Sequence, residues 1–275
     1  MLEIIKEMFS APILVRALIV GILVSLCAAL LGVSLVLKRY SMIGDGLSHV
    51  GFGALAVAAV MNLAPMAVAI PVVILAAFLL LRLSSNSKIK GDSAIALIST
   101  GALAIGVMAV SMSHGMNIDL NSYLFGSIIS VSRGDVVISV ILALAVLLMF
   151  VFFYTKIFAI TFDESFAKAT GINVNLYNML IALLTAVTIV IGMRLMGSML
   201  ISSLIIFPAL CSMRVFKSFK SVTICSAVIS VVTFVIGMMI SYAADTPCGA
   251  SIVCVNIAAF AVFFAVGLFA SRSRR

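Results

Sequence analysis

The sequence predicts an all-α, polytopic integral membrane protein with about eight or nine transmembrane helices, on the evidence of its composition and its long charge-free segments. Of 275 residues, 64% are hydrophobic, and only 26 carry a formal charge (17 Lys or Arg and 9 Asp or Glu). Soluble domains carry charges on about a quarter of their residues and need a polar surface over the core. Because proline is scarce and no linker interrupts the chain, residues 1–275 are predicted to form a single membrane domain.

Charge-free segments long enough to cross a bilayer follow one another along the chain, since a transmembrane helix needs about 20 apolar residues. The segment Gly46–Leu81 is too long for one span, and Asn62–Pro65 predicts a tight turn between two helices. Leu120–Ser132 is too short to cross and predicts an interfacial or re-entrant piece. The predicted spans are Ala17–Leu37, two helices within Gly46–Leu81, Ser93–Ile118, Val136–Thr155, Gly171–Met193, Leu195–Met213, Ser221–Ala244 and Thr246–Ser271.

The basic residues form small clusters between these apolar segments, which argues against a nucleic-acid-binding groove despite the net charge of +8. When the spans are made to alternate in direction, 13 of the 17 basic residues fall on the same side as Lys38 and Arg39. Positive charge concentrates in cytoplasmic loops. The sequence therefore predicts a cytoplasmic C-terminus and, with nine spans, an extracytoplasmic N-terminus. The four basic residues on the other side are Lys6, Arg16, Arg133 and Arg194.

No common catalytic motif is present, and no Gly-Lys pair occurs anywhere, which excludes a Walker phosphate loop. We therefore expect no catalytic residue and no bound cofactor in this chain. Only two histidines, His49 and His114, are available for a metal or proton site.

Asp45 and His49 are four positions apart in the sequence, which places both side chains on one face of a helix. Counting about 1.5 Å per residue from Arg39 puts Asp45 about 9 Å deep and His49 about 15 Å deep. Ionisable groups inside a membrane are costly and usually functional. The alternative is that Asp45 stabilises a helix N-terminus and His49 bonds a neighbouring carbonyl.

Gly44, Gly46, Gly51 and Gly53 surround this pair and permit another helix to approach closely. The same helix of a second copy of the chain is the obvious candidate. Two copies would combine two carboxylates and two imidazoles, a ligand set that suits a divalent ion such as zinc. Ordinary packing within one chain is the alternative.

The segment Thr161–Gly171 lies in the longest predicted cytoplasmic loop and predicts a short helix. Thr161 and Glu164 have the spacing of a capping box, and Gly171 can end the helix in a left-handed turn. Phe162 and Phe166 fall on one face with Ala169. On a cytoplasmic loop, these apolar side chains must be shielded from water by the membrane or by a protein partner. Acidic residues make a poor lipid anchor, so we favour a protein partner over the bilayer surface.

The chain resembles the permease subunits of bacterial zinc, manganese and iron ABC importers, a type II-like permease fold. The resemblance is carried by Leu37–Arg39 followed by Ser41–His49, by Tyr123–Ile128, by Phe162–Gly171 and by Gly197–Ala209. The last of these is a serine-rich helix with a proline, which by itself indicates only packing.

The resemblance implies a homodimer in the bacterial cytoplasmic membrane, in contact with lipid, with two cytoplasmic ATPase subunits that bind the ATP. It also implies import of a divalent metal ion from an extracytoplasmic metal-binding protein. Asp45 and His49 match the family's metal-coordinating pair. Phe162, Glu164, Phe166 and Gly171 match its ATPase-coupling helix.

Within this family the sequence looks closer to the zinc branch than to the manganese or iron branches. The resemblance gives no role to His114, Met116 or Asp119. The main rival function is a secondary metal or cation carrier that works without ATPase partners, although no inverted repeat relates the two halves of the sequence.

Overall fold

The computed structural model describes residues 11–86, 91–113, 126 and 133–272, and in these ranges the chain forms helices joined by turns. We number the helices in chain order. They are α1 (Pro12–Leu37), α2 (Ile43–Val60), α3 (Pro65–Asn86), α4 (Gly91–Met112), α5 (Arg133–Phe152), α6 (Tyr154–Phe162), α7 (Glu164–Ala169), α8 (Val174–Met196), α9 (Ser198–Val215), α10 (Phe219–Ala244) and α11 (Cys248–Arg272).

Nine helices of the described chain, all except the short α6 and α7, are long and apolar enough to cross a membrane. The prediction of about nine spans is therefore confirmed, including the division of Gly46–Leu81 into α2 and α3. The predicted re-entrant piece, Leu120–Ser132, lies outside the described residues apart from Gly126, as do His114, Met116 and Asp119.

Two mostly buried helices, α1 and α2, organise the bundle. Helix α1 packs against α5, α8, α9 and α10, whereas α2 packs mainly against α3 and α4. Buried serines help to fix α10 on α1, since the Ser230 hydroxyl donates to the Ser25 carbonyl at 2.9 Å. Helices α4 and α11 lie at the periphery and expose apolar side chains such as Leu97 and Phe269, as lipid-facing helices do.

Helices of the same chain pack directly on the glycines of α2. The expectation that α2 of a second copy packs there is therefore wrong. A Cβ atom at Gly46 would lie 2.4 Å from Ile95 Cγ2 and one at Gly53 would lie 2.3 Å from the Ala102 carbonyl oxygen, both on α4. Gly44 and Gly51 are closed off by Ile205 of α9 and Met193 of α8. Close packing of α2 on its own neighbours is what these glycines provide.

The serine-rich start of α9 is also explained by packing. The hydroxyls of Ser202 and Ser203 donate to the carbonyls of Ser198 and Leu200 in their own helix. Ser203 Oγ in addition accepts a hydrogen bond from Asn256 of α11 at 3.3 Å. The packing interpretation of this segment is therefore confirmed.

Basic residues that the alternation of spans puts on one side do lie at one end of the bundle, which we call the basic end. Arg82 and Lys168 line one cleft with Glu164, and Lys38 binds Glu164 directly. Near the start of α10, Phe219 contacts Phe162, which places the loop between α9 and α10 at the same end. Since α1 finishes there, its start, with Arg16, lies at the opposite end.

Candidate metal cleft and docking helix

Asp45 and His49 occupy the first two turns of α2 and share one face, as predicted. His49 Nε2 lies 3.6 Å from Asp45 Oδ2, which is too far for a hydrogen bond. The two side chains are therefore neighbours that do not hydrogen-bond each other.

Burial singles out these two residues from the rest of the helix. Between Ile43 and Ala56, every residue of α2 is buried except Asp45 and His49. Their side chains are 45% and 28% exposed, respectively, in the single chain. A helix that is apolar and covered on all other sides thus presents one carboxylate and one imidazole to a ligand.

The exposed face of the pair opens into a cleft of about 500 Å³ between the start of α2 and the middle of α4. The residues that line the cleft are Met42, Asp45, His49, Ile95, Ala96, Ser99, Thr100 and Leu103. The Nδ1 atom of His49 is buried and has no hydrogen-bond partner in the described chain, although a buried polar atom is normally paired. Among the described residues, the cleft thus contains one imidazole and one carboxylate, the nitrogen and oxygen ligands that divalent metals bind.

The described residues contain no group of three or more His, Cys, Asp or Glu side chains that could hold a metal ion. One chain thus contributes a carboxylate and an imidazole to this site, fewer than the four ligands typical of protein-bound zinc.

The helical count that gave the expected depth of the pair does not apply, because the chain does not continue as a helix from Arg39. Residues 38–42 form turns, Arg39 has a positive φ of 63°, and α2 begins at Ile43. At about 1.5 Å per residue, Asp45 lies about 3 Å and His49 about 9 Å along the helix. Both residues therefore lie near the start of α2.

The short helix predicted in the 161–171 loop exists as α7, but its N-terminal cap is Asp163. The Asp163 carboxylate accepts hydrogen bonds from the backbone N–H groups of Ser165 and Phe166, both at 2.9 Å. The capping box that we expected at Thr161 is wrong, because Thr161 belongs to α6 and its hydroxyl donates to the Ile157 carbonyl. Gly171 has a φ of +81°, so the left-handed turn after the helix is confirmed.

Two phenylalanines stand out at this corner of the basic end. Phe162, the last residue of α6, is 58% exposed, and Phe166 of α7 is 61% exposed. The Phe162 ring packs edge-on against Phe219 of α10 and lies beside Phe158. Phe162 and Phe166 lie on different helices, with Asp163 in an extended conformation between them, so the expectation that they share one helix face is wrong. We call these two exposed phenylalanines the docking surface.

Glu164, which the sequence suggested for partner contact, has partners inside the chain. Its Oε1 atom accepts hydrogen bonds from Lys38 Nζ at 2.8 Å and from Asn178 Nδ2 at 3.0 Å. Lys38 also donates to the Asn178 side-chain oxygen. These three side chains tie α7 to the end of α1 and the start of α8. Sequence reasoning missed them because Lys38 and Glu164 are 126 residues apart.

The two charges of this network differ in burial. Burial, which is nearly complete for the Lys38 side chain at 9% exposed, lowers the pKa of its ammonium group, and the contact with Glu164 offsets only part of that effect. Burial raises the pKa of the half-exposed Glu164 carboxyl, but the hydrogen bonds from Lys38 and Asn178 outweigh it and hold this pKa below its ordinary value. The network thus favours the charged form of the Glu164 carboxyl over its protonated form.

In the described part of the chain, nine apolar helices and a cleft that holds an acid–histidine pair define a multi-pass membrane protein. The chain belongs to the ABC 3 transport family, whose profile matches residues 10–267.

Relatives across the full length bear metal-transport names. The high-affinity zinc uptake system membrane protein ZnuB of Haemophilus influenzae is 28% identical over 257 residues, covering 94% of this chain and 97% of the relative. The manganese import system permease protein ScaB of Streptococcus gordonii is 30% identical over 262 residues, covering 95% and 94%. Among solved structures, PsaBC from Streptococcus pneumoniae in complex with Fab matches with a TM-score of 0.83 at 31% identity, covering 95% of this chain and 94% of that one.

Proposed function

We propose that this chain is the membrane-spanning permease subunit of an ATP-driven importer of divalent metal ions in a bacterial inner membrane. It receives the ion from an extracytoplasmic binding protein and releases it to the cytoplasm. ATP is hydrolysed by separate cytoplasmic subunits, so the chain itself is not an enzyme. We propose zinc as the imported metal and manganese as the main alternative. Both metals occur in the names of full-length relatives.

The observation that carries the proposal is the exposure of Asp45 and His49 on an otherwise buried stretch of α2. A bare divalent ion among apolar helices loses its hydration, which costs far more than a neutral protein surface can return. A carboxylate offsets the charge, and an imidazole nitrogen replaces part of the water shell. The cleft beside the pair is large enough for the ion with several of its waters.

A second copy of the chain completes this ligand set in our proposal. The single chain offers two ligands of the required kinds among its described residues, and both remain accessible from outside. A homodimer that brings the two clefts together doubles the ligands to two carboxylates and two imidazoles. Zinc has the coordination number to use such a set.

The docking surface provides the contact with the ATPase in this proposal. Phe162 and Phe166 expose large apolar side chains at an end of the bundle that faces water. Exposed apolar surface of this kind is typical of a protein contact. Lys38 connects the contact to the metal cleft, because it binds Glu164, the first residue of α7, and starts the turn that leads to α2. Movement of α7 by the ATPase thus reaches Asp45 through a few packed residues.

The basic end faces the cytoplasm in our proposal, in accordance with the bias of positive charge. The test uses a variant in which the five native cysteines are replaced by alanine. A single cysteine at Lys168 should resist a membrane-impermeant reagent in intact cells, whereas one at Asp245, at the far end of α10, should react. Labelling at Lys168 with protection at Asp245 would invert the orientation.

Uptake of radioactive zinc and manganese tests the function directly, in cells from which the permease gene is deleted and then restored. Restoration should return uptake, and purification of the restored chain should co-isolate an ATPase. A chain that transports metal by itself in proteoliposomes, without ATP or an ATPase, would be a secondary carrier and would refute the proposal.

A further inference from the structure

The wall of the metal cleft opposite Asp45 and His49 is formed by α4 and carries two hydroxyl side chains, Ser99 and Thr100. This wall is held close by two contacts between the helices. Gly46 of α2 meets Ile95, and Gly53 meets Ala102, so the two close approaches bracket His49 on one helix and the hydroxyl residues on the other. A side chain larger than hydrogen at either glycine would push α4 away from the pair.

The hydrogen bonds of the two hydroxyls determine what they can offer to a ligand. Ser99 Oγ donates to the Ala96 carbonyl at 3.1 Å, and Thr100 Oγ1 donates to the same carbonyl at 2.6 Å. A hydroxyl has one proton to donate and two lone pairs. Because both protons are engaged by the helix backbone, the oxygens retain only lone pairs for the cleft. Each can contact a cation or accept a hydrogen bond from metal-bound water.

The geometry points to Ser99 and Thr100 as specificity-determining residues of the cleft, which bind the passing ion or its water shell through neutral oxygen. This inference rests on the proposed function of Asp45 and His49. Oxygen ligands and retained water suit Mn²⁺, whereas imidazole suits Zn²⁺. The α4 hydroxyls therefore act chiefly on manganese and widen the range of metals that the pair accepts.

The test compares uptake of Mn²⁺ and of Zn²⁺ by cells that carry the complete transporter with Ser99→Ala, Thr100→Val, or both. Thr100→Val keeps the shape of the side chain and removes only the hydroxyl, and Thr100→Ser keeps the hydroxyl. Ser111→Ala is the matched control, because Ser111 lies on α4, bonds the Val107 carbonyl in the same way at 2.9 Å and is not part of the cleft wall. The amounts of permease and of bound ATPase are measured for each variant.

The double variant should lower the ratio of manganese to zinc uptake by about tenfold, the effect typical of losing a supporting contact at a metal site. Thr100→Ser and Ser111→Ala should keep the original ratio. An unchanged ratio in the double variant, or an equal loss for both metals with the complex intact, would overturn the inference. Normal uptake in the Asp45→Ala and His49→Ala variants would instead refute the proposed metal site itself, so the two failures can be told apart.

Discussion

Two acid–base pairs flank the turn between α1 and α2, and they differ in how completely the protein satisfies them. Lys38 and Glu164 approach to 2.8 Å, and Asn178 bonds both. Asp45 and His49 stay 3.6 Å apart, and one ring nitrogen of His49 is buried without a hydrogen-bond partner among the residues that the structure describes.

This difference distinguishes a pair that stabilises the fold from the pair to which we assign metal transport. A pair whose bonds are completed by a third side chain gains little from any further ligand, and its loss weakens the protein. A pair left open beside a cleft has ligand capacity to spare, and in our proposal its loss removes metal binding.

The largest effect is expected for Asp45→Ala and His49→Ala. In the proposed dimer, each change removes two of four ligands, so uptake of zinc and manganese should fall by more than the about 10- to 100-fold typical of outer contacts. Assembly with the ATPase should be unchanged, because the two side chains are too far apart to hydrogen-bond each other and are partly exposed. Asp245→Asn, at an exposed carboxylate beyond α10, is the control and should transport normally. If both alanine variants imported metal at normal rates, the open pair would be structural.

Phe166→Ala should weaken the ATPase contact next most strongly. Burial of one phenylalanine contributes about 1.5 to 3 kcal/mol, which corresponds to a loss of about tenfold or more in the recovery of the complex. Phe269→Ala is a matched control, since Phe269 is 70% exposed but lies on α11, away from α7. Equal ATPase recovery from both variants, with normal uptake, would remove the docking role.

Glu164→Ala should have an intermediate effect, on stability rather than on metal affinity. It leaves the Lys38 ammonium buried with Asn178 as its remaining partner among the contacts described above. The expected loss is about 1 to 2 kcal/mol, less than for a fully buried pair because Glu164 is half exposed. Thermal unfolding of the purified complex measures it. Lys38→Met combined with Glu164→Ala should recover part of the loss, and strictly additive effects of the two changes would show that the pair is not coupled.

The smallest effect concerns pH. The pKa of Glu164 lies below its ordinary value of 4.5, so the folded state binds its proton less readily than the unfolded state. Its contribution to stability is complete above pH 4.5 and is lost as the pH falls through the lowered pKa. Glu164→Gln should therefore reduce the acid sensitivity of unfolding below that pH and leave the profile near neutrality flat. An identical acid profile for the two proteins would contradict the assigned direction.

Local sequence was sufficient for features that depend on neighbours along the chain. The spans follow from charge-free length, since no other local property is required for a helix to enter lipid. The shared face of Asp45 and His49 follows from a spacing of four residues, and the left-handed turn follows from Gly171 after a short helix.

Tertiary structure decided every feature that depends on which helices meet. The glycines of α2 have the same sequence signature whether their partner is α4 or another copy of the chain, and only packing distinguishes the two. Thr161 and Asp163 can both cap a helix, and Asp163 does so because α6 continues through Thr161 to Phe162. The contact of Lys38 with Glu164 and the placement of Ser99 opposite His49 join residues far apart in sequence. Such contacts are fixed by the bundle as a whole, because no local pattern encodes the partner across the cleft.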